Sequence, residues 1–153
     1  MILASPAELA AALPRHQRMA ALDLGEKTIG IAIGDPGHKV ASPLTTIRRT
    51  KFTKDATELL RIMDERQVAG LVIGLPLNMD GSEGPRCQSV RQFAANLMAI
   101  RELPIAFWDE RLSTMAVTRD MIAADLSRAR RAKAVDQSAA AFILQGALDS
   151  LHR

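Results

Sequence analysis

A chain of 153 residues with 48% hydrophobic and 24% charged side chains has the balance of a folded domain with its own core, which excludes a disordered tail or a fibrous repeat. A net charge of +3 and a pI near 9.5 permit a polyanionic partner without requiring one, while 3% aromatics and no Tyr make aromatic base stacking a poor main binding mode. The lone Cys87 excludes an internal disulfide and suits a reducing compartment. No apolar stretch approaches the length that crosses a bilayer, and Glu8 interrupts any leader-like run, so a cytoplasmic protein with no membrane partner is expected.

In chain order, Ser5-Pro6-Ala7-Glu8 reads as a capped helix start that Leu13-Pro14 ends. Residues 1–18 are expected to form an extension outside the core, with a single domain over residues 19–153. Residues 19–24 (MAALDL) and 28–34 (TIGIAIG) read as two buried strands joined by the short Gly25-Glu26-Lys27 turn of a hairpin. Residues 40–47 supply a third strand, which Pro43 marks as an edge or an interruption. The period then changes. Ala56, Leu59, Leu60 and Met63 share a helical face over residues 53–66, and residues 70–75 are an unbroken apolar strand of the kind buried mid-sheet. A glycine-rich loop over 78–85 leads to a helix near 87–100 and a strand at 105–108. One helix from about Ser113 and a last one from about Asp136 complete the order β-β-β-α-β-α-β-α-α. The expected architecture is α/β, with five strands in a mixed sheet flanked by helices.

Three acidic positions stand where loops present side chains to a ligand. Asp23 interrupts an apolar strand, and an unpaired charge is costly to bury. Asp109 and Glu110 close the fifth strand, and Asp136 opens the last helix. Each has a structural alternative: Asp23 can cap the turn or pair with Lys27 or Arg111, Asp109 and Glu110 can pair with Arg111, and Asp136 can cap its helix. Basic residues lie beside them. From Arg111 to Lys133 six basic side chains (Arg111, Arg119, Arg128, Arg130, Arg131, Lys133) face two acidic ones (Asp120, Asp125), and Arg48, Arg49, Lys51 and Lys54 form a second group. Taken singly such runs read as a solvated surface. Together with converging acids they suit phosphodiester hydrolysis, in which Mg²⁺ or Mn²⁺ takes oxygen ligands and flanking cations hold neighbouring phosphates. The three histidines, His16, His38 and His152, are too scattered for zinc. The stretch from Gly81 to Arg86 lacks a Walker ending.

Four stretches carry a family likeness: ALDLGEKTIG from Ala21, GLPLNMDG from Gly74, DERLST from Asp109, and Val135-Asp136 before an Ala-rich helix. In these motifs and their order the chain resembles the YqgF (RuvX) family of pre-16S ribosomal RNA nucleases, earlier described as Holliday junction resolvases, over about residues 19 to 150. The resemblance implies an RNase H-like fold and an acidic metal-binding triad of Asp23, Glu110 and Asp136, with Asp109 the alternative to Glu110 as the inward ligand. It places Asn78, Arg111, Thr114 and Lys27 in supporting positions. It further implies a nucleic-acid substrate, either structured pre-16S rRNA or branched DNA. Two other readings stay open: a junction resolvase, for which a homodimer is expected where a processing nuclease can be a monomer, and a binding module without activity. Residues 125–133 read as a mobile loop whose Arg128, Arg130, Arg131 and Lys133 grip nucleic acid, with Arg48 and Arg49 as a second contact group.

Overall fold

The computed structural model describes residues 1–112 and 128–152, with side chains from residue 139 onward in the last helix. Six strands form one sheet: β1 (Ile2–Leu3), β2 (Arg18–Leu24), β3 (Thr28–Gly34), β4 (Ala41–Arg48), β5 (Val68–Leu75) and β6 (Ile105–Asp109), in the order β1-β6-β5-β2-β3-β4. β2, β3 and β4 form an antiparallel meander, whereas β5 runs parallel to β2, β6 to β5, and β1 to β6. The mixed α/β sheet and the β2–β3 hairpin are as expected. Pro43 lies on the edge strand β4, where Ile31 pairs with Thr45 and Ala32 with Pro43, so that one residue is skipped. Proline has no N–H to donate, and an edge with a bulge accommodates it.

Helices α2 (Phe52–Arg66) and α3 (Pro85–Ile100) cover one face of the sheet, and α4 (Arg128–Ser150) the other. The two cores follow from strand alternation. Ala20, Leu22 and Leu24 meet Leu59, Met63, Val90 and Leu97 on the first face. Met19 and Ala21 meet Ala140, Ile143, Leu144 and Ala147 on the second. β5 lies between them and is apolar throughout because both of its faces are covered.

Three expectations are corrected. The sheet has six strands rather than five, because Ile2–Leu3 pairs with Ile105 and Ala106 at the edge; two residues are too few to leave a pattern in a sequence. The N-terminal segment is not held outside the core. Its helix α1 (Pro6–Ala12), capped by Ser5, places Leu9 at 0% exposure in the second core. The last helix does not open at Asp136 but already runs from Arg128. Alanines 129, 132 and 134 with the intervening Arg and Lys are strong helix formers, so Arg128, Arg130, Arg131 and Lys133 stand on helical backbone rather than in a mobile loop. The helix expected from Ser113 falls outside the described residues. Among the described residues no helix is long and apolar enough to cross a membrane.

Candidate active site

The carboxyl ends of the parallel strands β2, β5 and β6 come together at one rim of the sheet, the position at which open α/β sheets present ligand sites. Register fixes who meets whom there. Leu22 pairs with Ile73, and Gly74 with Trp108, so Asp23 and Gly74 arrive at the same level, and the Glu110 side chain, from just beyond β6, reaches back against Gly74. Asp23 shares its strand face with Ala21 and Met19, which pack under α4.

The two acids at and just beyond the end of β6 take different partners. Trp108 packs on the α4 side and Phe107 on the other. Glu110 opens the short 3-10 turn Glu110–Leu112 that follows β6, and it hydrogen-bonds Asp23. Asp109 instead accepts from the Arg111 backbone N–H at 2.9 Å and from its guanidinium at 2.6 to 3.0 Å. Arg111 thereby holds the Asp109 carboxyl below its ordinary range.

Burial pushes Glu110 up to about 8, and its hydrogen bond and repulsion with Asp23 push in the same direction, while Arg86 opposes them. Two carboxyl groups hydrogen-bond each other only when one is protonated. The pair therefore has two ways to relieve its repulsion, by retaining a proton or by binding a cation. Its donors are all oxygen, which suits hard Mg²⁺ or Mn²⁺. Among the described residues no group of three His, Cys, Asp or Glu converges.

The pair lies against a close backbone approach. A Cβ built on Gly74 would stand 2.6 Å from Glu110 Oε1 and 2.6 Å from Ile143 Cδ1 on α4. Beyond β5, the GLPLNMDG loop folds back on itself. Asn78 N–H donates to Ser82 O at 2.9 Å, its side-chain amide reaches Ser82 Oγ at 3.0 Å, and Gly81 turns the chain at φ +88°. Asn78 thus shapes the loop, and Arg111 ties it to β6 by donating to Met79 O at 3.2 Å.

Of the cationic candidates, Arg49 donates to Gly25 O at 2.7 Å and stands over the Phe93 ring at 5.7 Å, while Lys27 and Arg48 are exposed. Arg86, which sequence reasoning missed, joins Glu110 and Arg111 in lining one cleft and Arg49 in lining another. Its only signal in the sequence is its place after Pro85 at the start of a helix. Asp136 lies on the α4 backbone, two turns before Ile143 on the same helical stripe. Its side chain and those of Arg128, Arg130, Arg131 and Lys133 lie outside the described ones, and Thr114 lies outside the described residues altogether.

Comparison with known proteins adds to this geometry. A family model described as "RuvX: Holliday junction resolvase" matches residues 17–150. A "Putative pre-16S rRNA nuclease" of Paramagnetospirillum magneticum is 61% identical over 150 residues, covering 98% of this chain and 97% of the relative. A protein of the same name from Rhodobacter capsulatus is 60% identical, covering 99% and 95%. Among solved structures, the fowlpox virus resolvase bound to Holliday junction DNA superposes with a TM-score of 0.52 at 13% identity, covering 90% of this chain and 100% of that one. Thermus thermophilus RuvC gives 0.50 at 11% identity, covering 88% and 95%. At such identities the likeness is one of fold, and it gives the sheet described above the RNase H-like architecture of the resolvases.

Proposed function

Because this chain belongs to the RuvX family, we propose that it is a nuclease that hydrolyses nucleic-acid phosphodiesters with a divalent metal, and that its substrate is the 5′ end of pre-16S rRNA. The observation that carries this reading is the Asp23–Glu110 pair, two oxygen ligands brought together at the strand-end rim. Asp136 is the third ligand in this reading. Its place on the α4 stripe with Ala140 and Ile143, which pack on the sheet, supports it.

A bound Mg²⁺ or Mn²⁺ supplies the Lewis acidity that such hydrolysis needs. The protein's own residues do the rest. Asp23 and Glu110 hold the cation, which requires Glu110 to give up its proton. Arg111 keeps Asp109 out of the site and anchors the 76–85 loop. The cations of α4 and of Arg48 and Arg49 meet phosphates.

The test is a side-by-side digestion of precursor 16S rRNA and a four-way DNA junction by the wild-type protein and by Asp23→Asn. Cleavage of the RNA by wild type and none by the variant is the expected result. Wild-type cutting by Asp23→Asn, in a protein that folds normally, would refute the site. The family model's description keeps junction resolution as a second reading. Preferential cutting of the junction by a protein with the solution mass of a dimer would select it, since paired strands require paired sites.

A further inference from the structure

Two clefts meet at the start of α3. The first contains Glu110 and Arg111 and is floored by Pro76 and Leu77; the second contains Arg49 and Thr50 and lies against Gly25. Pro85 and Arg86 line both, so the two are parts of a single trough that passes Glu110 and continues between the β2–β3 turn and α3.

The cations along this trough differ in how they are committed. Arg111 is saturated by Asp109. Among the described residues the Arg86 guanidinium makes no hydrogen bond or ion pair. Arg49 gives one donor to a backbone carbonyl and has no carboxylate partner. Glu26, on the lip of the second cleft, is paired with neither. Arg86 acts on Glu110 through space alone, and the rigid fork of arginine matches phosphate oxygens in two-point contact. Arg49 is also held in place by Gly25 O and Phe93, and the Lys27 carbonyl accepts its N–H at 2.8 Å.

We propose that Arg86 and Arg49 form a phosphate subsite in this trough, which holds the backbone of the substrate strand next to the linkage being cut and leads it away from α4 towards the β2–β3 turn. The inference rests on the nuclease reading and deepens it, since it gives the strand a direction across the site. Arg86 stands between the reacting linkage and the neighbouring phosphate. Arg49 receives the phosphate beyond it. Arg86 and Arg49 line the same trough, so the ligand of this proposal is a single strand rather than a duplex.

The test is fluorescence anisotropy with a labelled twelve-nucleotide single-stranded RNA in EDTA, where nothing is cut, across a salt series. Arg86→Gln and Arg49→Gln are each expected to weaken binding about tenfold and to lower the salt slope by about one. Arg86→Lys is expected to recover part of the loss, and Arg15→Gln, which removes an exposed charge far from the trough, to change little. Melting temperatures confirm that each variant folds; Arg86, being exposed, gives a readable variant even where Arg49→Gln does not. Binding by Arg86→Gln and its salt slope equal to wild type would overturn the subsite, whereas unimpaired cutting by Asp23→Asn would overturn the active site. An equal loss with Arg15→Gln would reduce the trough to general surface charge and also overturn the subsite.

Discussion

Gly74 on β5 lies directly against Glu110, with no room between them for a methyl group: a Cβ there would meet Glu110 Oε1 at 2.6 Å, Glu110 Cγ at 2.8 Å and Ile143 Cδ1 at 2.6 Å. Neither partner can retreat easily, since Ile143 is buried and Glu110 is held by Asp23. Gly74→Ala is therefore expected to destabilise by about 1–3 kcal/mol and to displace Glu110 from its partner. Thermal denaturation and a cleavage assay check this together; a variant with both unchanged would show that the glycine is replaceable.

Asp23→Asn removes a ligand charge and leaves the side chain's shape. Losing one such contact is expected to cost several kcal/mol of transition-state stabilisation, about a thousandfold or more in rate. It also lifts the repulsion on Glu110, so the metal-free variant is expected to melt no lower than wild type. Rates and melting curves on the same preparation separate these effects.

The raised pKa of Glu110 gives a pH dependence with a definite sign. The folded value, about 8, exceeds the ordinary 4.5. Between the two the folded protein binds more protons than the unfolded chain, so stability falls as pH rises. Metal-free protein is expected to be most stable below about pH 4.5 as far as this group is concerned, and to lose that contribution progressively up to about 8. A divalent cation replaces the proton, so binding should tighten as pH rises through this window and release a proton wherever pH is below about 8. Calorimetry of Mn²⁺ binding in two buffers of different ionisation enthalpy measures that release. No difference between the buffers at pH 7 would contradict the prediction.

A change in stability without a change in chemistry is expected at Asp55. Its carboxylate, 4% exposed, accepts from Thr50 N–H at 3.1 and 3.2 Å and from Thr50 Oγ1 at 3.1 Å. Asp55→Ala removes these charge-assisted bonds to Thr50 and is expected to cost about 1–3 kcal/mol, with cleavage per folded molecule preserved.

The N-terminal helix makes a similar prediction. Leu9 has no exposed surface and belongs to the core under α4, so Leu9→Ala is expected to cost about 2–5 kcal/mol. A loss below about half a kcal/mol would return residues 1–18 to the role of an appendage.

The legible parts of this molecule were those that repeat. The apolar alternation of residues 19–24 and 28–34 and the unbroken run in β5 identified central strands, and Asp23 drew attention because nothing local explains a carboxylate there. The choice of Glu110 over Asp109 rests on the family motif, since alternation at a strand end says only that two neighbours point different ways. Illegible parts depended on tertiary approach. Asp136 reads as a helix opener because aspartate caps well, yet the Ala, Arg and Lys before it already form helix from Arg128. Arg86 had no distinguishing neighbour in the sequence; its place follows only from the start of α3 reaching the end of β6.

Trp108 is the chain's one tryptophan, and its indole rests on Gly146 of α4, with ring atoms 3.1 to 3.3 Å from where a Cβ would be. It stands on β6, two residues before Glu110, and faces the last helix. The fluorophore therefore occupies the seam between the sheet and that helix, and its emission reports without any label whether the helix stays seated while ions or oligonucleotides are added.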